Sequence, residues 1–335
     1  MSQDSLFSRR QVRTLNHLAK AELTSNKPNI GYVWQALALF SLPHKETPSL
    51  NQWVTTNRSV TITIQSGRFT THTGHTASAL PSGIQARRAL LWISTEAIRR
   101  QSSILHLDAK LSNYLRACGT PLGGDSANKA IRELQLVLSC TWTVETSGSR
   151  DFGYGNMNTR FHIAQQDSVR NLLRKASLRE PAAIELNPLF FEHLLAKKTP
   201  VDLDALRALG GSSLSFDVYV WATYKGFSST GRSRGPSITW ESLHHQFAST
   251  YKRIPMFRLR FITELEHVKL VYPEVEYVAD PHRGLTLKPF VPHVKPRVRA
   301  GTRGHLSAMP SSRSTPDHAE RSTGNQSFVD NQSDF

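Results

Sequence analysis

The sequence is poor in cysteine. Cys118 and Cys140 are the two cysteines among its 335 residues, which is too few for the disulfide framework of a small secreted domain. Both fall at apolar positions within expected helices or strands, so we expect buried thiols in a reducing compartment. The scarcity of cysteine therefore predicts a cytoplasmic protein with no disulfide scaffold and no zinc site.

Long apolar runs are also lacking. No stretch of the sequence approaches the roughly 18 consecutive apolar residues that a membrane-spanning helix needs. The first residues, MSQDSLFSRRQVRT, contain no apolar segment of the length found in a signal peptide. We expect a soluble protein that has no membrane partner.

Acidic residues are scarce relative to basic ones. The chain has 26 Asp and Glu against 41 Lys and Arg, which gives a formal net charge of +15 at pH 7. A strongly basic balance favours a polyanionic partner, most often nucleic acid and less often an acidic membrane surface. The charge excess thus favours a nucleic-acid-binding function.

Constellations for catalysis or metal binding are missing from the sequence as well. HTGH, at His72 to His75, has the spacing of metal ligands but no cysteine or acidic cluster to complete a site. GTPLGGD, which begins at Gly119, lacks the lysine and hydroxyl of a phosphate-binding loop. No His-x-His pair accompanies a tyrosine nucleophile, as a nicking enzyme would need. We therefore expect a binding protein rather than an enzyme, with no cofactor and no metal.

The two ends of the chain differ in composition from its middle. Residues 1–55 are mixed, with one helix-like segment, NIGYVWQALALF, and are interpreted as an N-terminal extension or linker. Residues 293–335 are rich in Ser, Pro, Gly, Thr and Arg and poor in apolar residues. Such a segment buries too little surface to offset its conformational entropy, so it is predicted to be a disordered basic tail.

Between the two ends, one order of elements occurs twice. Residues 56–170 predict a strand (SVTITIQ), a helix (RRALLWISTEAIRR), a short strand (SILHL), a helix capped by Asp108 and ended by Gly119, a further helix and two strands. Residues 176–292 predict a helix (SLSFDVYVWATYKG), a short strand, the helix WESLHHQF capped by Thr239, another helix and two strands. Each half is expected to bury its own core.

This repeated order is typical of a winged helix, which runs helix, strand, helix, turn, helix, hairpin. Two copies predict an α+β chain with tandem winged-helix domains, followed by the disordered C-terminal tail. The alternative is two mixed α+β domains that share a generic order.

The third helix of the first half lies in GDSANKAIRELQLVLSC, residues 124–140, where Ser126 is the expected cap. In a winged helix the third helix lies in the major groove, where amide and basic side chains pair with base edges. Arg132 and Asn128 are the expected base readers, and a plain solvated helix face is the alternative. The DNA-binding candidates on this face are Asn128, Lys129, Arg132 and Gln135.

The second half and the first hairpin add further candidates. Arg150, at the hairpin tip, is a candidate for a flanking groove. YKRIPMFRLRFITEL concentrates basic residues within two turns, and most of them are expected to contact phosphates. Arg260 and Thr263, opposite Phe257 and Phe261, are the expected base readers. The candidates of this segment are Lys252, Arg253, Arg258, Arg260 and Thr263.

Four long blocks follow one another between about residues 75 and 295. They are LPSGIQARRALLWISTEAIRRQSSILHL, PVDLDALRALGGSSLSFDVYVWATYKG, SITWESLHHQF and VYPEVEYVADPHRGLTLKPFVPHV. Together they resemble the plasmid-encoded RepA replication initiator family of Gram-negative bacteria. The N-terminal extension and the basic tail lie outside this resemblance.

The resemblance implies a DNA-binding initiator of plasmid replication that controls copy number. Such a protein binds repeated sites in double-stranded DNA, called iterons, at the plasmid origin, helps to open an A·T-rich segment and recruits the host initiator DnaA and the helicase DnaB. Related initiators form homodimers off DNA and bind iterons as monomers. Two rivals remain: a winged-helix transcriptional repressor that binds a single operator, and a DNA-nicking enzyme that needs a metal and a tyrosine.

Overall fold

The structure is a computed structural model that describes residues 7–24, 28–57, 60–70, 74–108, 111–146, 157–174, 182–229, 235–247 and 251–294. Arg150 lies outside these residues, as does the predicted tail from residue 295 onward. The first two residues of that tail are folded, because the His293 ring stacks on Tyr272 with 4.6 Å between ring centres and Val294 is buried. The prediction of a disordered tail that begins at residue 293 is therefore wrong for these two residues. Within the described ranges, no helix has the length and apolar character needed to cross a membrane.

The segment predicted to be an extension or linker carries regular structure. It contains the helix α1 (Arg9–Thr24), the strand β1 (Ile30–Trp34), a 3-10 turn and the first residues of β2 (Gln52–Asn57). NIGYVWQALALF is therefore a strand and a turn, and the helix-like interpretation was wrong. Aromatic and β-branched residues favour a strand here, and residues 30–34 pair antiparallel with residues 198–202, far along the chain.

The first half has the predicted order of elements with a short hairpin added. Its elements are β3 (Val60–Gln65), β4 (Gly67–Thr70), β5 (Thr76–Ala79), α2 (Gly83–Arg100), β6 (Ile104–Leu107), α3 (Ser112–Ala117), α4 (Gly124–Ser139), β7 (Thr141–Thr146) and β8 (Met157–His162). The antiparallel sheet β2-β3-β7-β8 places Trp142 between Ile64 and Phe161. The hairpin β7-β8 is thus joined to strands that precede α2.

The start of α4 differs from the prediction. Gly123 is the N-cap residue, in an extended conformation, and α4 begins at Gly124, whose φ of +73° favours glycine. Ser126 lies inside the first turn and is not the cap. The helix therefore begins at the glycine pair, Gly123 and Gly124, two residues before Ser126.

A connecting region follows, and it is paired with earlier strands. It contains α5 (Gln166–Arg174), β9 (Ala182–Glu185), α6 (Pro188–Ala196), β10 (Lys198–Asp202) and α7 (Leu203–Leu209). Antiparallel pairing joins β9 to β6 and β10 to β1. The described part of this region therefore belongs to the folded unit.

The second half has the predicted order of elements. It contains α8 (Ser213–Ser229), β11 (Ser237–Thr239), α9 (Trp240–Gln246), α10 (Ile254–Lys269), β12 (Tyr277–Asp280) and β13 (Gly284–Leu287). The three strands form an antiparallel sheet in the order β11-β13-β12. The strand that precedes α9 therefore pairs directly with the hairpin that follows α10.

The buried apolar side chains form one continuous cluster that extends from Val33 to Leu287. The prediction of a separate core in each half is therefore wrong, because strands and loops of the first 57 residues pack against both halves. Trp34 contacts the rings of Trp142 and Phe190 edge-on. The α+β class is confirmed by the mixture of helices and antiparallel sheets.

A buried ion pair ties the two halves together. Arg87 on α2 is 0% exposed, and its guanidinium donates from Nε and Nη2 to Asp217 on α8, at 2.6 Å in both cases. Its remaining donors reach Ser41 Oγ and the carbonyl oxygens of Gly83 and Leu42. Burial would raise the pKa of Asp217, but the charge of Arg87 and the hydrogen bonds from His44 and Arg87 together hold the pKa below the ordinary value.

Candidate nucleic-acid interface

The exposed part of α4 is confined to its first two turns. Asn128 and Lys129 are exposed, whereas every residue from 133 to 138 is buried. The elements α2, α5 and β4 pack against this helix. Gln135 is only 3% exposed. Its predicted place on an exposed DNA-binding face is therefore wrong.

Arg132 is held by neighbours within the protein. Its Nη1 lies 2.7 Å from Glu46 Oε1 and 3.5 Å from Glu133 Oε1. The guanidinium also lies 4.9 Å from the ring centre of Phe69, a favourable cation–π distance. Lys129 Nζ approaches the same Glu46 oxygen at 3.8 Å. Glu46 thus neutralises part of the basic face of α4.

Glu133 is a buried carboxyl directly behind this face. It is 0% exposed and accepts a hydrogen bond from Ser82 N, the residue that caps α2, at 2.7 Å. Burial raises the pKa of Glu133 to about 7, although the Ser82 hydrogen bond and the charge of Arg132 oppose the rise. Glu133 therefore connects α4 to the start of α2.

The second-half candidates are distributed around α10. Lys252 and Arg253 are exposed where the helix begins, and Arg260 and Thr263 are exposed farther along it. Arg258 is half-buried, and its Nη1 donates to the carbonyl oxygen of Pro281 in the β12-β13 turn. Arg258 thus anchors the hairpin to α10.

Arg260 shares a buried carboxylate with an arginine from α1. Its Nη2 lies 2.5 Å from Glu264 Oε1, and Arg10 donates to both oxygens of Glu264, at 3.0 and 2.8 Å. Burial would raise the pKa of Glu264, but hydrogen bonds from Arg10 and Ser215 and the two arginine charges hold it below the ordinary value. Glu264 therefore fixes both guanidinium groups beside α10.

Thr14 forms a second link between α1 and α10. Its Oγ1 lies 2.8 Å from His267 Nε2 and donates to the carbonyl oxygen of Ala208. Burial and the charge of Arg10 lower the pKa of His267 to about 4, so this imidazole is neutral at pH 7. Arg9 and Arg13, on the same helix, are exposed. The helix α1 lies outside the resemblance to the RepA family, so the sequence predicted no role for it. Its position beside α10 follows from the contacts of Arg10 and Thr14 in the structure.

The turn between β12 and β13 presents a further basic residue. Asp280 Oδ1 accepts hydrogen bonds from the backbone N–H groups of His282 and Arg283, both at 2.8 Å, and these bonds lower the pKa of Asp280. Arg283 is exposed at the tip. Its position after Asp-Pro in ADPHRG is a turn signal that could have identified it from the sequence.

Two large apolar side chains also lie on the exposed side of α10. Met256 is 54% exposed and Leu259 is 64% exposed, although both flank the fully buried Phe257. Sequence reasoning missed them because it examined only polar and basic residues as DNA contacts. The signal was their helical spacing with Thr263, since residues three and four apart share a face.

Both cysteines are buried and unbridged, as predicted, and burial raises the pKa of each thiol to about 12. In the described ranges, no group of three or more His, Cys, Asp or Glu side chains is arranged to hold a metal ion. The candidate interface consists of basic, amide, hydroxyl and apolar side chains on α4 and α10.

A known protein family matches the middle of the chain. Residues 81–242 match the model of a family described as plasmid encoded RepA protein. Over this segment the chain is similar to the RepA family. The RepA segment extends from the cap of α2 into α9, so it includes α4 and the Arg87–Asp217 pair, and it ends before α10. The family supports a role in the initiation of plasmid replication and in DNA binding.

Two solved structures of RctB domains 2 and 3 are similar in part. One matches with a TM-score of 0.47 and 11% identity, covering 76% of this chain and 97% of its own. The other matches with a TM-score of 0.42 and 12% identity, covering 76% of this chain and 96% of its own. No curated protein sequence matches the chain significantly.

Proposed function

We propose that this protein is a plasmid replication initiator that binds repeated sites, the iterons, in the double-stranded DNA of its origin. The second half carries the proposal. Its basic helix α10 lies beside a hairpin with exposed Arg283, and its sheet order β11-β13-β12 is that expected of a winged helix. The RepA family segment supports the replication role of the same chain.

In this proposal both halves are winged helices, with 56–170 and 176–292 as their limits. Asn128, Lys129 and Arg132 contact DNA from α4, and Lys252, Arg253, Arg260 and Thr263 contact it from α10. Arg253 caps α10, where its charge adds to the positive end of the helix dipole and suits a phosphate. Gln135 is left out because it is buried, and Arg258 acts through the hairpin it anchors.

The Arg87–Asp217 pair gives the two modules a fixed spacing, because it joins the first helix of one to the first helix of the other. Two third helices held in this way would reach successive major grooves of one duplex face. The expected site is then about 20 base pairs long. Neutralised phosphates make the affinity fall steeply as salt rises.

Origin opening and host recruitment are the later steps of the proposed function. Several bound copies would bend or untwist neighbouring DNA, and the cost is smallest at weakly stacked A·T-rich steps. DnaA and DnaB are the proposed host partners in the cytoplasm, and a homodimer off DNA that binds iterons as a monomer is the proposed assembly. The protein acts as a binder and not as an enzyme.

Footprinting of the full-length protein on DNA that flanks its own gene, at two salt concentrations and with competitor DNA, tests the proposal. Evenly spaced protected repeats beside an A·T-rich stretch are expected. A single protected palindrome over a promoter would instead identify a transcriptional repressor. Cleavage of supercoiled plasmid in magnesium or manganese would identify a nicking enzyme.

A further inference from the structure

The outward face of α10 is apolar at its centre. Met256 and Leu259 are more than half exposed, at 54% and 64%, and Thr263 follows Leu259 by one turn. The Thr263 hydroxyl donates to the carbonyl oxygen of Leu259 at 2.8 Å. Its proton is therefore used within the helix, and the γ-methyl group is the apolar group that Thr263 adds to this face.

The arginine that follows Leu259 on α10 is already paired. Arg260 Nη2 lies 2.5 Å from Glu264 Oε1, and Glu264 is in turn held by Arg10 and Ser215. Arg260 therefore lies at the edge of the face, next to α1. The centre of the face offers a thioether, an isobutyl and a threonine methyl group, which is unlike the amide and basic surface predicted for base reading.

Positive charge surrounds this apolar centre. Lys252 and Arg253 are exposed where α10 begins, Arg260 lies on one side and Arg283 lies in the adjoining turn. Glu266, two turns beyond Leu259, is engaged with Tyr277 and Lys269. An apolar centre with a basic border fits a ligand that presents apolar groups between phosphates.

Double-stranded DNA has such a surface. In the major groove the thymine C5-methyl is the apolar group on a base edge, and apolar side chains discriminate thymine through it. We infer that Met256, Leu259 and Thr263 read thymine methyl groups, while the surrounding basic residues contact the phosphates. This inference rests on the DNA binding proposed above and names the chemical group that α10 recognises.

Deoxyuridine substitution tests this directly, because deoxyuridine differs from thymidine only in lacking the methyl group. Within a footprinted site, each thymine is replaced in turn and the affinity of the full-length protein is measured. Each contacted methyl is expected to contribute about fourfold in affinity. The affected positions are expected to cluster in the part of the site that α10 covers.

Variants then assign the effect to side chains. Leu259→Ala is expected to bind thymine and uracil equally at the position that Leu259 contacts, and Thr263→Ser and Met256→Ala are expected to do so at theirs. Thr263→Val, which keeps a methyl group, should retain the discrimination. Leu23→Ala is the matched control, because Leu23 is 90% exposed on α1 and far along the helix from Arg10.

The outcomes separate this inference from the proposed function. Two outcomes would overturn the inference on thymine methyl groups and leave the proposed function standing. In one, the protein protects a bounded site but its affinity is unchanged by every uracil substitution. In the other, all three α10 variants still discriminate thymine from uracil. Self-association that Leu259→Ala abolishes, with unchanged thymine discrimination, would make this face an interface between copies and also overturn it. Failure of the unaltered protein to protect any bounded site would instead refute the proposed function.

Discussion

The helices α4 and α10 hold the same place in the element order and present different surfaces. Residues 133–138 of α4 are all buried. The arginine before them, Arg132, is partly exposed, is paired with Glu46 and lies over Phe69. α10 keeps one face exposed, with Met256 and Leu259 at the centre of that face. Element order thus places a helix, whereas its neighbours decide what it can offer to a ligand.

The buried glutamates of the two helices sharpen the contrast. Glu133 on α4 and Glu264 on α10 are both 0% exposed. Glu264 has two arginines within 3.0 Å, and its pKa is lowered. Glu133 has a backbone N–H at 2.7 Å and an arginine at 3.5 Å, and its pKa is raised. The two shifts are opposite because Glu264 receives hydrogen bonds from Arg10 and Ser215 as well as two arginine charges, whereas burial dominates at Glu133.

The strands around the two helices also pair differently. In the second half β11 pairs with its own hairpin strand β13. In the first half β6 pairs with β9, and the hairpin β7-β8 pairs with β3. The first half is therefore built into a larger sheet, whereas the second half forms a self-contained three-stranded sheet.

The largest expected effect comes from breaking the ion pair that joins the halves. Arg87→Met removes the guanidinium from buried Asp217 and leaves it only the His44 ring, at 3.0 Å, and the Ser41 hydroxyl. We expect the free energy of unfolding to fall by about 3–5 kcal/mol. Urea unfolding followed by far-UV circular dichroism and by tryptophan fluorescence measures it. If the halves form one cooperative unit, both probes will give the same midpoint.

The double variant Arg87→Met, Asp217→Leu is the control for this pair. Replacing both partners by apolar residues removes the unpaired charge, so it should recover much of the lost stability. A loss below about 1 kcal/mol for Arg87→Met would show that the pair does not hold α2 and α8 together.

Glu133 predicts a pH dependence that Glu264 does not share. The pKa of Glu133 is about 7 in the folded protein, above its value in the unfolded chain. Such a carboxyl contributes fully to the free energy of unfolding at low pH, and this contribution is lost as the pH rises through 7. Between pH 5 and pH 7 the stability of the unaltered protein relative to Glu133→Gln should fall by roughly 2 kcal/mol. Unfolding at several pH values measures the difference. The exposed Glu145→Gln is the control, and a flat difference would show that Glu133 ionises normally.

The DNA contacts of the two helices should differ in kind. Arg132→Ala is expected to lower DNA affinity about tenfold and to relax the preference at one base position. A tenfold loss is near the lower end of the range for a base-reading arginine, because Arg132 must first leave Glu46. Lys252→Ala should weaken all sequences alike and reduce the salt slope by about 1. Binding to specific and scrambled duplexes over a salt series separates them. Identical behaviour of the two variants would refute the division into base and phosphate contacts.

The sequence predicted the elements that depend on local patterns and missed those that depend on remote partners. The helical spacing of Leu134 and Leu138 correctly placed the buried side of α4. Gln135 looked exposed because the elements that cover it come from elsewhere in the chain. NIGYVWQALALF became a strand because β10, over 160 residues later, pairs with it. Glu46 and Arg10 could not be assigned to α4 and α10 by spacing, since only folding brings them there.

The smallest expected effect tests whether Glu46 restrains α4. It lies 2.7 Å from Arg132 and 3.8 Å from Lys129, so it competes with phosphates for both cations. Glu46→Gln removes that competition and should raise DNA affinity about threefold, with a steeper salt dependence. Glu276→Gln, which breaks the exposed pair with Lys288 at the base of the β12-β13 hairpin, is the control. The contrary result is unchanged affinity in Glu46→Gln while Arg132→Ala still binds DNA more weakly. It would mean that Arg132 exchanges Glu46 for DNA at no measurable cost in free energy.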